Sequence, residues 1–327
     1  MDNPFKAAWW LPGPHLQTLW PTLIRRPKKI SLQRERVELP DGDFVDLDWI
    51  IHPNQKKNSP IVLILHGLEG SSRSSYARGM LQAIANRGWR GAVMHFRGCS
   101  GELNRLPRSY HSGDTNDFAG ILNQLIAREP QTPVAVIGYS MGGNVLLKWL
   151  GELGQRNQAV DNVVAAVAVS VPFELNKAVD RLQQGFSRLY TRHFLRRLCK
   201  KIRTKQRRQP LPLNISSWSH IRTLRDFDDQ ITAPLHGFSD AEEYYVKSSS
   251  RQFLKHINVP TLLLQAKDDP FMTEAVIPEH HELSACVKLE VTEKGGHVGF
   301  VSGRTPWQPV YWLEQRIPFF LSDYLHL

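Results

Sequence analysis

The sequence predicts an α/β fold, a mostly parallel central sheet with helices on both faces and a helical insertion. Three observations predict it. Between residues 60 and 170, short β-branched apolar runs alternate with helix-compatible stretches, the pattern of strand–helix–strand crossovers. One run, Val134-Ala135-Val136-Ile137, leads straight into Gly138-Tyr139-Ser140-Met141-Gly142-Gly143 and then into another helix-compatible stretch. After Val171-Pro172-Phe173 the alternation stops until Val259. Four segments follow: an N-terminal arm packed on the core (1–30), a first core part (31–173), a helical, basic lid insertion (174–255) and a second core part (256–327).

Bulk properties narrow the function classes. The 327 residues are 41% hydrophobic and 22% charged, an ordinary globular balance that can fill a large α/β core. No apolar run approaches the ~20 residues of a membrane span. The Trp-rich N-terminus lacks a basic segment followed by an uninterrupted apolar one, so it does not read as a signal peptide. Cys99, Cys199 and Cys286 are odd in number and far apart, which argues against a disulfide framework and for a reducing, cytoplasmic setting. Zinc spacings such as H-E-x-x-H are absent. The net charge of +10 favours anionic partners.

Taken in order, the arm carries Pro4, Pro12, Pro14, Pro21 and Pro27, which disfavour long helices. It reads as an aromatic-rich strap, with a wall of the substrate pocket as the alternative. Residues 31–39 and 44–51 read as strands joined by Pro40-Asp41-Gly42-Asp43, hairpin turn chemistry. The continuous apolar run 61–65 suits a central strand buried on both faces; it ends in His66-Gly67-Leu68-Glu69-Gly70. Residues 75–87 read as a helix stopped at Gly88. Residues 90–96 read as a strand entering a glycine-rich loop, where Cys99 and Ser100 are loop residues because no helix follows them as one follows Ser140. A helix is expected over 113–128, with Asp114 and Asp117 at its acid-favouring start. The expected remainder is strand 133–138, helix 142–153, strands 162–170, 258–266 and 286–291, and a terminal helix within 307–325. Ligands in such sheets bind beyond the carboxyl ends of the strands, where His66, Arg97 and Ser140 fall.

The insertion is distinctive. Between Arg181 and Arg208 it has eleven Lys and Arg and no acid, interleaved at helical spacing with Leu182, Leu189, Leu195, Leu198 and Ile202. This predicts a basic amphipathic helix. Its apolar stripe can pack on the core or line the pocket as a lid, or the helix can attach to an anionic membrane surface. No nucleic-acid motif accompanies the charge, so nucleic acid is not expected as a partner.

The chemistry follows from the turn. Gly-x-Ser-x-Gly between a strand and a helix lifts the Ser140 hydroxyl clear of the sheet, and glycines at 138 and 142 leave room where a Cβ would clash. The helix start aims free N–H groups at the site, so the Met141 N–H is placed to bind an oxyanion. Gly67 lets the Leu68 N–H face the same point. A hydroxyl is a poor nucleophile near neutral pH and needs a base. His297, in Gly295-Gly296-His297, is the candidate. His66 precedes the elbow and reads as structural; His280 and His281 read as surface residues. A carboxylate must orient the imidazole. Asp268 and Asp269 both follow a strand, and Asp269, next to Pro270, is the choice. Serine, acid and histidine stand in the order of the α/β hydrolases. Two-step acyl transfer through an acyl-enzyme needs no cofactor or metal.

The chain resembles family 4 of the AB hydrolases, the group containing bacterial YheT-type esterases. The resemblance rests on His15-Leu16-Gln17-Thr18-Leu19, His66-Gly67-Leu68-Glu69-Gly70-Ser71, Phe96-Arg97-Gly98-Cys99-Ser100-Gly101, Gly138-Tyr139-Ser140-Met141-Gly142-Gly143-Asn144, Asp268-Asp269-Pro270 and Gly295-Gly296-His297-Val298-Gly299-Phe300. It implies the α/β-hydrolase fold, a Ser140–Asp269–His297 relay and hydrolysis of carboxylic esters. Family members include medium-chain ester hydrolases, alcohol acyltransferases and phospholipase-like enzymes, so a small acyl ester is the expected substrate. The sequence does not specify the oligomeric state.

Overall fold

The sheet is built from runs that are apolar on both sides. The computed structural model describes residues 4–326 apart from Lys28, Asn54, Ala159 and Ser216. Met1, Asp2, Asn3 and Leu327, within the expected arm and second core part, lie outside the described residues. Strand β1 (Ser31–Glu38) pairs antiparallel with β2 (Phe44–Ile51), in register from Ser31↔Ile51 to Glu38↔Phe44. Next come β3 (Ile61–Leu65) and β4 (Arg90–Met94), then β5 (Val134–Tyr139), β6 (Val163–Val169), β7 (Thr261–Ala266) and β8 (Val287–Thr292). The strand order is β1-β2-β4-β3-β5-β6-β7-β8. β2 meets β4 antiparallel, and every pairing from β4 to β8 is parallel.

Burial explains the composition. Every residue of β3, β5 and β7 is buried, which is why β3 and most of β5 are continuous apolar runs rather than alternating ones, while β7 also buries Thr261 and Gln265. The edges β1 and β8 carry Arg34, Glu35, Arg36, Lys288 and Glu290, charges that discourage pairing with another chain. Leu63, Leu65 and Val136 face one core, while Val62, Ile64 and Ile137 face the other. The chain leaves β3 for β4 on one side and crosses back to β5 on the other. A crevice therefore opens at the carboxyl ends of β3 and β5, at the point where the order reverses.

Helix α1 (Pro14–Leu23) lies in the arm. It is a short helix of ten residues; Pro14 occupies its first turn, where a missing N–H costs nothing, and Pro21 lies inside it. Helices α2 (Ser75–Ala85), α3 (Asn116–Arg128) and α4 (Met141–Gln155) follow. The start of α3 is a correction to the expected 113–128. Asp114 is drawn to Arg108 Nη2 at 2.8 Å, so residues 113–115 stay outside the helix.

Between β6 and β7 the chain forms α5 (Leu175–Leu182), α6 (Arg188–Gln206), α7 (Leu224–Phe227), α8 (Ala233–His236) and α9 (Ala241–Ser248). Their apolar sides share a core of their own, including Leu195, Leu198, Ile202, Phe227 and Tyr245, joined by Phe271 and Met272 from beyond β7. Burial of each such side chain contributes roughly 1.5–3 kcal/mol, against about 0–1 kcal/mol for an exposed ion pair. The apolar stripe, not the charge, therefore holds α6 down. A two-stranded sheet of β9 (Val301–Ser302) and β10 (Val310–Tyr311) and helix α10 (Leu313–Leu321) complete the fold.

Candidate active site

The elbow is built by exclusion. Ser140 joins β5 to α4 with φ 53° and ψ −120°, a conformation that costs a non-glycine residue energy. The neighbouring backbone leaves no alternative. A Cβ on Gly138 would lie 2.5 Å from Gly143 Cα, and one on Gly142 would lie 2.5 Å from the Leu65 carbonyl oxygen. These glycines bring the end of β3 against the elbow. An ideal Cβ on Gly67 would already sit 3.2 Å from Ser140 Cβ.

Three side chains from three strand ends meet there. Ser140 Oγ lies 2.9 Å from His297 Nε2, and His297 Nδ1 lies 2.8 Å from Asp269 Oδ2. A carboxylate accepts, so Nδ1–H donates to Asp269, and Nε2 is left to accept from the serine hydroxyl. Asp269 is buried, and its Oδ1 accepts from the Phe271 N–H at 2.8 Å. Asp268 is turned elsewhere: its Oδ1 accepts from the Gly296 N–H at 2.8 Å, bracing the histidine loop. Burial raises its carboxyl above the usual range.

Leu68 and Met141 line the same cavity as Ser140 and His297. Met141 is the first residue of α4, so its N–H has no acceptor within the helix. His66 is fully buried and serves the backbone. Its Nε2 accepts from the Phe96 N–H at 3.2 Å, and its Nδ1 donates to the Gly67 carbonyl at 2.7 Å. Burial lowers its pKa to about 3, so the ring stays neutral. His280 and His281 are exposed in a short 3₁₀ turn away from the elbow. Cys99 and Ser100 lie in the loop after β4, and burial pushes the Cys99 thiol up.

Several supporting residues have no signature in the sequence. The His297 N–H donates to Thr18 Oγ1 at 2.9 Å, so α1 of the arm holds the histidine loop. Phe271 stacks on the His297 ring with centroids 3.9 Å apart. Glu69, beside Leu68, takes a positive φ of 54° and accepts from Tyr110 OH and from Lys201 Nζ of α6. The insertion is thereby tied to the loop that carries Leu68. Thr18 falls within the His15–Leu19 motif, the one hint of its role; Phe271 and Lys201 had none.

Over the site lies a cavity of about 960 Å³. Its walls are largely apolar, with Val179, Leu182, Phe194, Leu198 and Phe227 from the insertion. Leu19 and Leu23 of the arm join them, so the arm is also a pocket wall. Asp228 lies on the cavity wall between Thr232 and Tyr245, and burial raises its pKa to about 6. Among the described residues, no group of three or more His, Cys, Asp or Glu is arranged to hold a metal ion, and no helix is long and apolar enough to cross a membrane.

Comparisons with known proteins agree with this architecture. The family described as alpha/beta hydrolase fold matches residues 60–303. YheT of Escherichia coli (strain K12), which bears the name of an esterase, is 47% identical over 313 residues, covering 95% of this chain and 91% of its own. The mouse phospholipase ABHD3 is 29% identical over 303 residues, covering 90% of this chain and 72% of its own. Among solved structures, the Pyrococcus furiosus esterase Pf2001 superposes with a TM-score of 0.58 at 18% identity. That alignment covers 100% of this chain and 98% of the other, and shows the common fold.

Proposed function

Since the chain belongs to the α/β-hydrolase fold family, and within it to the branch of YheT, we propose that it hydrolyses carboxylic esters of short- to medium-chain acyl groups. The observation that carries this reading is the hydrogen-bonded chain Ser140–His297–Asp269 at the floor of an apolar cavity. In this mechanism His297 Nε2 takes the proton as Ser140 Oγ attacks the acyl carbon. The carbonyl π electrons move onto oxygen, which the Leu68 and Met141 N–H groups receive. His297 then gives its proton to the leaving alcohol, and the C–O bond to that alcohol breaks. Water, deprotonated by the same nitrogen, repeats the sequence on the acyl-enzyme and frees the acid and Ser140. Asp269 fixes the ring tautomer and stabilises the imidazolium formed in each half.

The cavity lies near the upper end of the range for small-molecule sites. It accommodates an acyl chain beneath the insertion. A second reading, hydrolysis of a lipid ester on the same three residues, is favoured by the phospholipase name of the mouse relative. Transfer of the acyl group to an alcohol in place of water uses the same chemistry. Cys99, Cys199 and Cys286 are all unpaired, which suits a reducing compartment such as the cytoplasm.

The test is initial rates on p-nitrophenyl esters of graded acyl length for the wild type and Ser140→Ala. Wild-type turnover should fall by a factor on the order of 10⁴ or more in the variant. Equal rates in the two proteins would remove Ser140 from the reaction.

A further inference from the structure

The mouth of the cavity is framed by exposed apolar side chains from two packed elements. His15 of α1 lies with its ring centroid 4.5 Å from that of Phe186, just before α6, and 5.9 Å from that of Tyr190. On the two elements together, Leu16, Leu23, Ile24, Phe186 and Leu189 are exposed, Leu23 by 70% and Leu189 by 49%. Leu23, Phe186 and Leu189 also line the cavity. The apolar interior therefore continues outward onto the surface rather than closing beneath it.

Along the outer face of α6, which carries Leu189 of this rim, the charge has one sign. At roughly 3.6 residues per turn, Leu189, Arg192, Arg196, Lys200, Arg203 and Arg207 share one face of α6, and each is exposed. Among the described residues none of these five cations has an acidic group within 4.0 Å; Arg26 and Lys29, exposed beyond α1, have none either. The contrast lies within one helix. Lys201 and Lys205 turn inward, Lys201 to Glu69 and Lys205 to Asn104 Oδ1 and the Leu106 and Arg108 carbonyls. The inward cations are bonded into the fold; on the outer face no cation meets an acid among the described residues, and Arg203 lies over the Trp218 ring, 4.6 Å from its centroid.

We propose that this α1–α6 face docks on the surface of an anionic lipid bilayer, with the cavity mouth against the membrane. The cations match acidic headgroups, and the apolar rim enters the headgroup–acyl boundary. A lipid acyl chain can then pass from bilayer to cavity without crossing water. Nucleic acid would match the cations but leave the apolar rim facing water. The docking deepens the hydrolase reading by naming the source of its substrate, while the binding itself does not depend on turnover.

Co-sedimentation tests it with Ser140→Ala protein, vesicles of phosphatidylcholine alone, and vesicles of an equal mixture with phosphatidylglycerol. The mixed vesicles should bind at least about tenfold more protein, and salt should reduce the binding. A variant with Arg192→Glu, Arg196→Glu and Lys200→Glu should lose it at an unchanged melting temperature. The same triple change with Ser140 intact should keep turnover of a soluble p-nitrophenyl ester. Leu16→Ser with Ile24→Ser should weaken the binding that survives high salt. Equal binding to both vesicle types, or by the triple variant, would overturn the proposal. So would tighter binding to a fluorescent oligonucleotide than to mixed vesicles. Loss of soluble-ester turnover in wild-type protein would instead count against the hydrolase reading alone.

Discussion

The elbow and the insertion above it are held in opposite ways. Around Ser140 the constraints are short-range and steric: two glycines with backbone atoms about where a Cβ would stand, and a positive φ fixed between a strand and a helix. The insertion is held down by an apolar core of its own, and its polar ties to the rest of the fold are long-range. Lys205 Nζ, on α6, bonds Asn104 Oδ1 at 2.7 Å and the Arg108 carbonyl at 2.6 Å, and Lys201 reaches Glu69. The first arrangement leaves almost no latitude and suits atoms that must be aligned for a reaction. The second is a separately packed apolar layer pinned to the core by the buried Lys205 and the partly buried Lys201, and it lets the insertion shape a cavity without disturbing the elbow. The same residue type thus has two meanings on α6, a structural one inward and a surface one outward.

Three measurements sharpen this comparison. The largest effect is expected at the elbow's acid. Asp269→Asn should lower kcat on a p-nitrophenyl ester by about 10³–10⁴, since an amide can donate to His297 Nδ1 and favour the wrong tautomer. Asp268→Asn keeps an oxygen for the Gly296 N–H and should cost about tenfold or less. The reverse order would transfer the role to Asp268.

The next effect separates the two sides of α6. Lys205→Met removes a fully buried donor and should destabilise the protein by about 2–4 kcal/mol, read from urea unfolding midpoints. Arg196→Gln, on the outer side, should stay within about 0.5 kcal/mol. Similar midpoints for the two variants would dissolve the distinction.

The smallest effect concerns pH. His66 is neutral in the fold because burial lowers its pKa to about 3, whereas in the unfolded chain it titrates near 6.5. The unfolded state therefore binds the extra proton, and the stability present above pH ~6.5 is lost as pH falls toward 3. Between pH 7 and 5 the contribution is about 2 kcal/mol. His66→Gln should flatten that part of the pH profile of the unfolding midpoint. An unchanged slope in the variant would show that His66 does not contribute it.

Legibility followed the range of the forces. Ser140, Asp269 and His297 could be read because each sits in a local pattern, a strand end followed by glycine, proline or a helix start. The hairpin of β1 and β2 could be read for the same reason. The start of α3 could not, because Asp114 answers to Arg108 across a loop. Thr18 reaches His297 across 279 residues and Lys201 reaches Glu69 across 132, and no periodicity encodes such pairs.

By itself, then, the sequence determined the alternating α/β core, the elbow and the order of the three candidate residues, because steric and hydrophobic rules act over a few neighbouring positions. Only the tertiary structure decided that Asp268 turns to brace the histidine loop, that the arm both braces that loop and walls the cavity, and which cations of α6 are buried. Those outcomes depend on which distant groups packing brings within hydrogen-bond reach, and a buried charge must find such a partner wherever the chain supplies one.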